Sequence, residues 1–193
     1  MMNTRRNTRI TRNTAAAAAA LLLTAPAMGG APDRAAEGRE IAQQFGAELR
    51  AELQGAMSEG GPLAAVRVCN EEAPRIAREA AQRTGAEVGR TSTRLRNPDN
   101  RPDAHERRVL AEFEEAVASG DLDNPPERLE TLPDGRVRYM RGIIVGPPCL
   151  VCHGQALAPP VAEVIDARYP DDEARGYALG DLRGAFTITW PAD

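Results

Sequence analysis

The chain has 193 residues, of which 42% are hydrophobic and 27% charged. This balance predicts one medium globular domain, with or without a leader, and excludes wholesale disorder. Every basic residue is Arg, and the absence of Lys excludes Schiff-base and Walker-type lysine chemistry. Two His and three Cys exclude a His-rich metal site and a multi-disulfide framework, while 4% aromatic residues argue against a base-stacking nucleic-acid platform.

The first 27 residues have the three-part layout of a secretory signal peptide. A basic stretch without acidic residues precedes an apolar run from Ala15 to Leu23, which is too short to span a membrane. Ala25-Pro26-Ala27 then supplies the small residues that a signal peptidase reads. We predict that residues 1–27 are cleaved, with cleavage after Ala31 or an uncleaved anchor as alternatives. The basic residues are Arg5, Arg6, Arg9 and Arg12.

Loss of this leader makes the remaining chain, residues 28–193, more acidic. It removes four Arg and leaves 20 against 28 acidic residues, a formal charge of −8. Such a chain is a poor candidate for binding nucleic acid or an anionic membrane. No other stretch is long and apolar enough to span a bilayer. The sequence therefore predicts a single soluble domain in the periplasm or otherwise exported.

Apolar spacing predicts two helices at the start of this domain. Residues 33–58 carry an apolar residue at every fourth position, and Gly60-Gly61 ends that helix. Pro62 suits the first turn of the second helix. The apolar stripe of the first helix is Ile41, Phe45, Leu49, Leu53 and Met57, and the second helix carries Leu63, Val66 and Cys69 on one face.

Two further helices are predicted before the strand-rich half. Pro74 starts or kinks a helix that stops near Gly85. Asp103 and Glu106 form a capping-box pair at the start of the other, which Gly120 closes. Its apolar face consists of Val109, Leu110, Phe113 and Val117.

Strands alternate with turns in the rest of the chain. Residues 86–92 and 185–190 are predicted strands, residues 97–100 a turn, and residues 159–168 a short helix. Pro133-Asp134-Gly135 predicts a tight turn in a β-hairpin between residues 128–132 and 136–145. Helices followed by a mostly antiparallel sheet indicate the α+β class.

One short motif, Cys149-Leu150-Val151-Cys152-His153, carries the chemistry. The spacing C-x-x-C-H is typical of covalent c-type haem attachment, with two thiols for the vinyl groups and an adjacent His for the iron. Export agrees with this interpretation, because c-type haem is attached outside the cytoplasmic membrane. Three alternatives remain open: a dithiol for thiol–disulfide exchange, a structural disulfide, or a zinc site that also uses Cys69.

Thioether bonds to Cys149 and Cys152 would leave Cys69 as the spare thiol. Its ordinary interpretation is a buried small hydrophobe, and its functional interpretation is the second axial ligand of the iron. Met140, Met57 and His105 compete for that role. We expect Met140 and Met57 to be packing residues and His105 to be exposed, which favours Cys69.

Four sequence blocks between about residues 35 and 190 resemble the single-haem, PAS-like c-type haem domain, a family of unknown function that occurs alone or as the sensor part of signalling proteins. The resemblance implies a PAS-like sheet flanked by N-terminal and connecting helices, with one haem c and with Cys69 and His153 as axial ligands. His105 stands where the family commonly has an aromatic residue, which affects packing. The blocks are residues 65–77, 89–106, 149–154 and 169–185.

Three Arg residues are candidates for binding the haem propionates: Arg90, Arg94 and Arg96. Guanidinium groups form bidentate pairs with carboxylates, although the same residues also suit a solvated strand or loop. Thiolate ligation stabilises ferric iron and lowers the potential. Loss of Cys69 on reduction would admit CO or NO.

The sequence therefore predicts a non-enzymatic, exported haem c protein. It would act as a redox or gas sensor, or as a low-potential electron carrier, and would work with a separate redox or signalling protein. The rival prediction is a haem-free thiol–disulfide oxidoreductase that uses Cys149 and Cys152.

Overall fold

The computed structural model describes Met1, residues 33–120 and residues 124–192. The remainder of the predicted signal peptide and its cleavage sites lie outside the described residues. Within them, no helix is long and apolar enough to cross a membrane. The described elements are α1 (Arg34–Arg67), α2 (Ala73–Thr84), β1 (Glu87–Thr91), α3 (Ala104–Ala118), β2 (Glu127–Thr131), β3 (Val137–Ile144), α4 (Leu150–His153), α5 (Pro159–Arg168) and β4 (Leu182–Trp190).

Helix α1 combines the first two predicted helices and is interrupted where the sequence predicts a break. Asp33 caps it by accepting hydrogen bonds from two backbone amides. Gly61 has φ 67° and ψ −161°, a conformation essentially limited to glycine. Pro62 follows without costing an interior hydrogen bond, because the helix restarts there.

The predicted apolar stripe of α1 is only half buried. Ile41 and Phe45 lie in the core, whereas Met57 is 37% exposed. Steps of four residues turn 400° around a helix, so the stripe drifts away from the core by about 40° at each step. The same correction applies to Leu63, which is 43% exposed although Val66 is buried.

A π-helix (Val68–Glu72) joins α1 to α2 and carries Cys69. Pro74 lies in the first turn of α2, and Gly85 ends that helix in the left-handed conformation, as predicted. The π turn has one more residue per hydrogen-bonded ring than an α turn, and such turns are frequent at functional sites.

The four strands form one antiparallel sheet in the order β1-β4-β3-β2. The predicted hairpin is present as β2 and β3, and Gly135 occupies the turn with φ 85°. The C-terminal strand β4 lies between β1 and β3, so the end of the chain completes the sheet. The predicted α+β class and antiparallel sheet are confirmed.

Helices cover the sheet through two hydrophobic clusters. One joins α1 to the sheet, where Phe45 contacts the ring edge of Phe186 at 5.7 Å between centroids. The other joins α3, which has the predicted capping box of Asp103 and Glu106, to β3 and β4. Near the start of α3, His105 is only partly exposed and lies 2.9 Å from a Glu130 oxygen, so the prediction that it is exposed was wrong.

Candidate functional site

The C-x-x-C-H motif lies in the single turn of α4. A 3₁₀ turn (Pro147–Cys149) leads into it, and Cys149 is its N-cap residue. Positions 149, 152 and 153 are spaced by three and four residues, so their side chains share one side of the turn. Each thiol packs against a different cluster: Cys149 against Val145, Ala174 and Tyr177, and Cys152 against Val66, Val161, Ile165 and Tyr169.

The His153 ring is held in one tautomer by the backbone. Its Nδ1 donates to the Ala174 carbonyl at 2.7 Å, since a carbonyl only accepts. Burial, reinforced by the positive charges of Arg183 and Arg96, lowers the pKa of His153 to about 3. The imidazole is therefore neutral near pH 7, and Nε2 keeps its lone pair as a metal ligand requires.

The fold brings Cys69 to the same site from the π-helix. Burial raises the pKa of the Cys152 thiol; Arg96 opposes this effect, while Cys69 and then Cys149 reinforce it. Such electrostatic influence requires the sulfur atoms to be near one another. All three cysteines are partly buried free thiols. The three cysteines and His153 therefore lie in one region of the fold, although no three of them are grouped closely enough to hold a single ion.

The donor set does not suit a metal ion bound by protein alone. Among residues 33–120 and 124–192, no three His, Cys, Asp or Glu side chains are grouped to hold a metal. This disfavours the zinc alternative, which needs four such ligands. One His and one Cys suit an iron whose other ligands come with a macrocycle.

The competing ligand candidates lie elsewhere. Met140 is fully buried in the cluster of α3 and the sheet, and Met57 faces solvent on α1. His105 is engaged with Glu130. None of the three is in the clusters that enclose Cys149 and Cys152.

Arg96 turns inward and is only 8% exposed. Its Nε and Nη2 form a bidentate pair with Asp172 at 2.9 and 3.1 Å. Nη2 also donates to the carbonyls of Cys152 at 2.7 Å and Ala174 at 3.2 Å. Arg96 is therefore paired with a carboxylate inside the protein, whereas the side chain of Arg94 donates only to the Glu173 carbonyl, at 3.2 Å.

Arg90, Arg94 and a third residue, Arg183, have no carboxylate partner within the described part of the chain. Burial lowers the pKa of both Arg90 and Arg183. Arg183 donates Nη1 to Ser92 at 2.9 Å, but its buried Nε has no hydrogen-bond partner among the described residues. The guanidinium carbons of Arg94 and Arg183 also lie over the ring of Tyr177, at 4.2 and 5.5 Å from the ring centroid, respectively. The result is a cluster of positive charge that no carboxylate of residues 33–120 or 124–192 neutralises.

Sequence reasoning missed Arg183, Asp172 and the Ala174 carbonyl as parts of the site. All three lie within the block of residues 169–185, which the family resemblance marks without giving individual roles. No spacing rule points to them, because their partners are 21 to 91 residues away.

Comparisons with known proteins agree with this architecture. A family model described as "Tll0287-like: Tll0287" matches residues 2–191. The crystal structure of the cyanobacterial heme-protein Tll0287 is similar, with a TM-score of 0.63 and 28% identity over 83% of this chain and 96% of that chain. No curated protein matches. The predicted family resemblance and PAS-like fold are confirmed: the chain belongs to the Tll0287-like family.

Proposed function

We propose that this chain is an exported haem c protein that carries electrons at low potential or senses redox state, and that it is not an enzyme. The observation that carries the proposal is a partly buried, neutral His153, whose Nδ1 is held by the Ala174 carbonyl, next to the thiols of Cys149 and Cys152 and in the same region of the fold as Cys69. The similarity to a protein described as a heme-protein supports it.

The residues present fit haem. Cys149 and Cys152 would form thioether bonds to the vinyl groups, His153 would present Nε2 to the iron, and Cys69 would be the opposite ligand. The buried, unpartnered Nε of Arg183 suits a carboxylate acceptor such as a propionate. Arg90 and Arg94 supply further positive charge, whereas Arg96 is committed to Asp172.

Bound haem supplies one-electron chemistry between ferric and ferrous iron. If His153 and Cys69 both held the iron, no position would remain open for a substrate, which would suit electron transfer and disfavour substrate chemistry. Sensing of CO or NO would require Cys69 to leave on reduction. Either role needs a separate protein partner to receive the electron or signal.

The rival thiol–disulfide function would need a positive charge beside its reactive thiolate. His153 is neutral and supplies no positive charge to stabilise a thiolate.

The decisive experiment is a pyridine haemochrome spectrum of the full chain made with the cytochrome c maturation machinery. We expect haem that survives denaturation and acid extraction. A double variant, Cys149→Ala with Cys152→Ala, should lose it, whereas Cys69→Ala should keep it and serves as the matched control. Absence of covalent haem from the unmodified chain would overturn the proposal.

A further inference from the structure

Arg96 and Asp172 connect three segments behind His153. Arg96 follows β1, Asp172 lies in the loop after α5, and the Cys152 carbonyl belongs to α4. The carboxylate is nearly inaccessible, with a side-chain exposure of 2%. Its second oxygen also accepts from Arg175 Nε at 2.6 Å. This ion pair is therefore fixed by several hydrogen bonds within the fold.

The same network controls the acceptor of the histidine. The Ala174 carbonyl receives both His153 Nδ1, at 2.7 Å, and Arg96 Nη2, at 3.2 Å. The amide of Ala174 donates to Asp172 at 3.0 Å. Both polar groups of this residue are thus held by the Arg96–Asp172 pair, and the direction of the carbonyl sets the rotation of the imidazole ring.

We propose that Arg96 and Asp172 are positioning residues for His153. They hold the Ala174 carbonyl where it orients the ring and fixes the Nδ1 proton, which leaves the Nε2 lone pair available to an iron. The proposal rests on the haem function above. It adds that these two residues govern how firmly His153 would bind the iron. Groups that orient a ligating His change metal affinity by about 10- to 100-fold when removed.

The planar guanidinium is essential to this role. It reaches two carboxylate oxygens and two carbonyls at once, which a lysine ammonium cannot do in the same geometry. Arg96→Lys therefore keeps the charge but loses the network. Asp172→Asn keeps the shape of the side chain but removes the negative charge that pairs with the guanidinium of Arg96. Arg175→Gln is the matched control, because Arg175 binds the same carboxylate but neither carbonyl.

The test compares these variants, and Arg96→Gln, as purified haem proteins. Electron paramagnetic resonance of the ferric form reports the orientation of the axial imidazole, and a cyanide titration reports how readily a ligand is displaced. We expect Arg96→Lys, Arg96→Gln and Asp172→Asn to shift the g-values and to bind cyanide about 10-fold more tightly or more. Arg175→Gln should match the unmodified protein in both measurements.

The outcomes separate this inference from the haem proposal. Absence of covalent haem from the unmodified chain contradicts the haem proposal itself. Normal g-values and cyanide affinity in Arg96→Lys would mean that only the charge matters and would overturn the inference. A further outcome is that the three variants fail to accumulate while Arg175→Gln accumulates normally. That result would mean that Arg96 and Asp172 serve only folding, and it would also overturn the inference.

Discussion

Cys69 lies in a different type of secondary structure from the other two cysteines. Cys149 and Cys152 belong to a short turn bounded by prolines and Gly154, whereas Cys69 lies in the π-helix between two long helices. It is therefore anchored independently of the C-x-x-C-H motif. Under the haem c proposal, exchange of Cys69 should leave the attachment through Cys149 and Cys152 undisturbed.

We predict that Cys69→Ala raises the reduction potential and changes the ferric Soret and charge-transfer bands. A thiolate donates electron density and stabilises ferric iron, so its loss favours the reduced state. Redox titration followed by absorbance measures both effects. Met140→Leu is the control, because Met140 is a competing ligand candidate that lies fully buried in a different cluster. An unchanged Cys69→Ala spectrum would contradict thiolate ligation.

The same samples distinguish the two proposed roles when CO is added to the ferrous form. If Cys69 leaves on reduction, CO changes the ferrous spectrum of the unmodified protein, as sensing requires. A ferrous spectrum that responds to CO only in Cys69→Ala would favour electron transfer. Neither result depends on the identity of the partner protein.

At the scale of elements, local patterns predicted the helices, the strands and their ends well. Gly60-Gly61, the capping box at Asp103 and the turn at Gly135 each act through neighbouring residues, which a sequence exposes directly. Burial of Met57 and Leu63 was predicted wrongly, because exposure depends on what covers a helix. The inward turn of Arg96 depends on Asp172, 76 residues away, and no local rule specifies that partner.

The break in α1 predicts opposite effects for two nearby glycines. Gly61→Ala should destabilise the fold by about 1–3 kcal/mol, because its backbone conformation is nearly forbidden to other residues. Gly55→Ala should stabilise it by roughly 0.5–1 kcal/mol, since Gly55 lies in the helix with nothing within 4 Å of an added methyl group. Urea unfolding followed by circular dichroism measures both. Equal effects would mean that α1 continues unbroken through Gly61.

At the scale of the whole molecule, the exclusive use of Arg makes the pH limits of stability asymmetric. The Arg cations of its ion pairs do not titrate below about pH 12. The carboxylates do: burial opposes ionisation of Asp103 and Glu130, but their hydrogen bonds with neighbouring residues hold each pKa below its usual value. Their stabilisation is complete above about pH 5, where the unfolded chain is also ionised, and is lost as the pH falls through the lowered values.

The alkaline limit therefore depends on tyrosine, and Tyr139 in β3 is the residue that tests it. Burial, helped by the negative charge of Glu127, raises its pKa from 10.0 to about 12. Because the unfolded chain loses this proton first, stability should fall as the pH rises from about 10 to 12, by on the order of 2–3 kcal/mol. Tyr139→Phe removes the titrating group, whose buried hydroxyl makes no hydrogen bond within the described part of the chain. Urea midpoints measured from about pH 10 to 12 should decline less in Tyr139→Phe than in the unmodified chain. The decline of the midpoint at acid pH should be the same in both proteins and serves as the internal control. An equal decline at alkaline pH would mean that Tyr139 does not set the alkaline limit of stability.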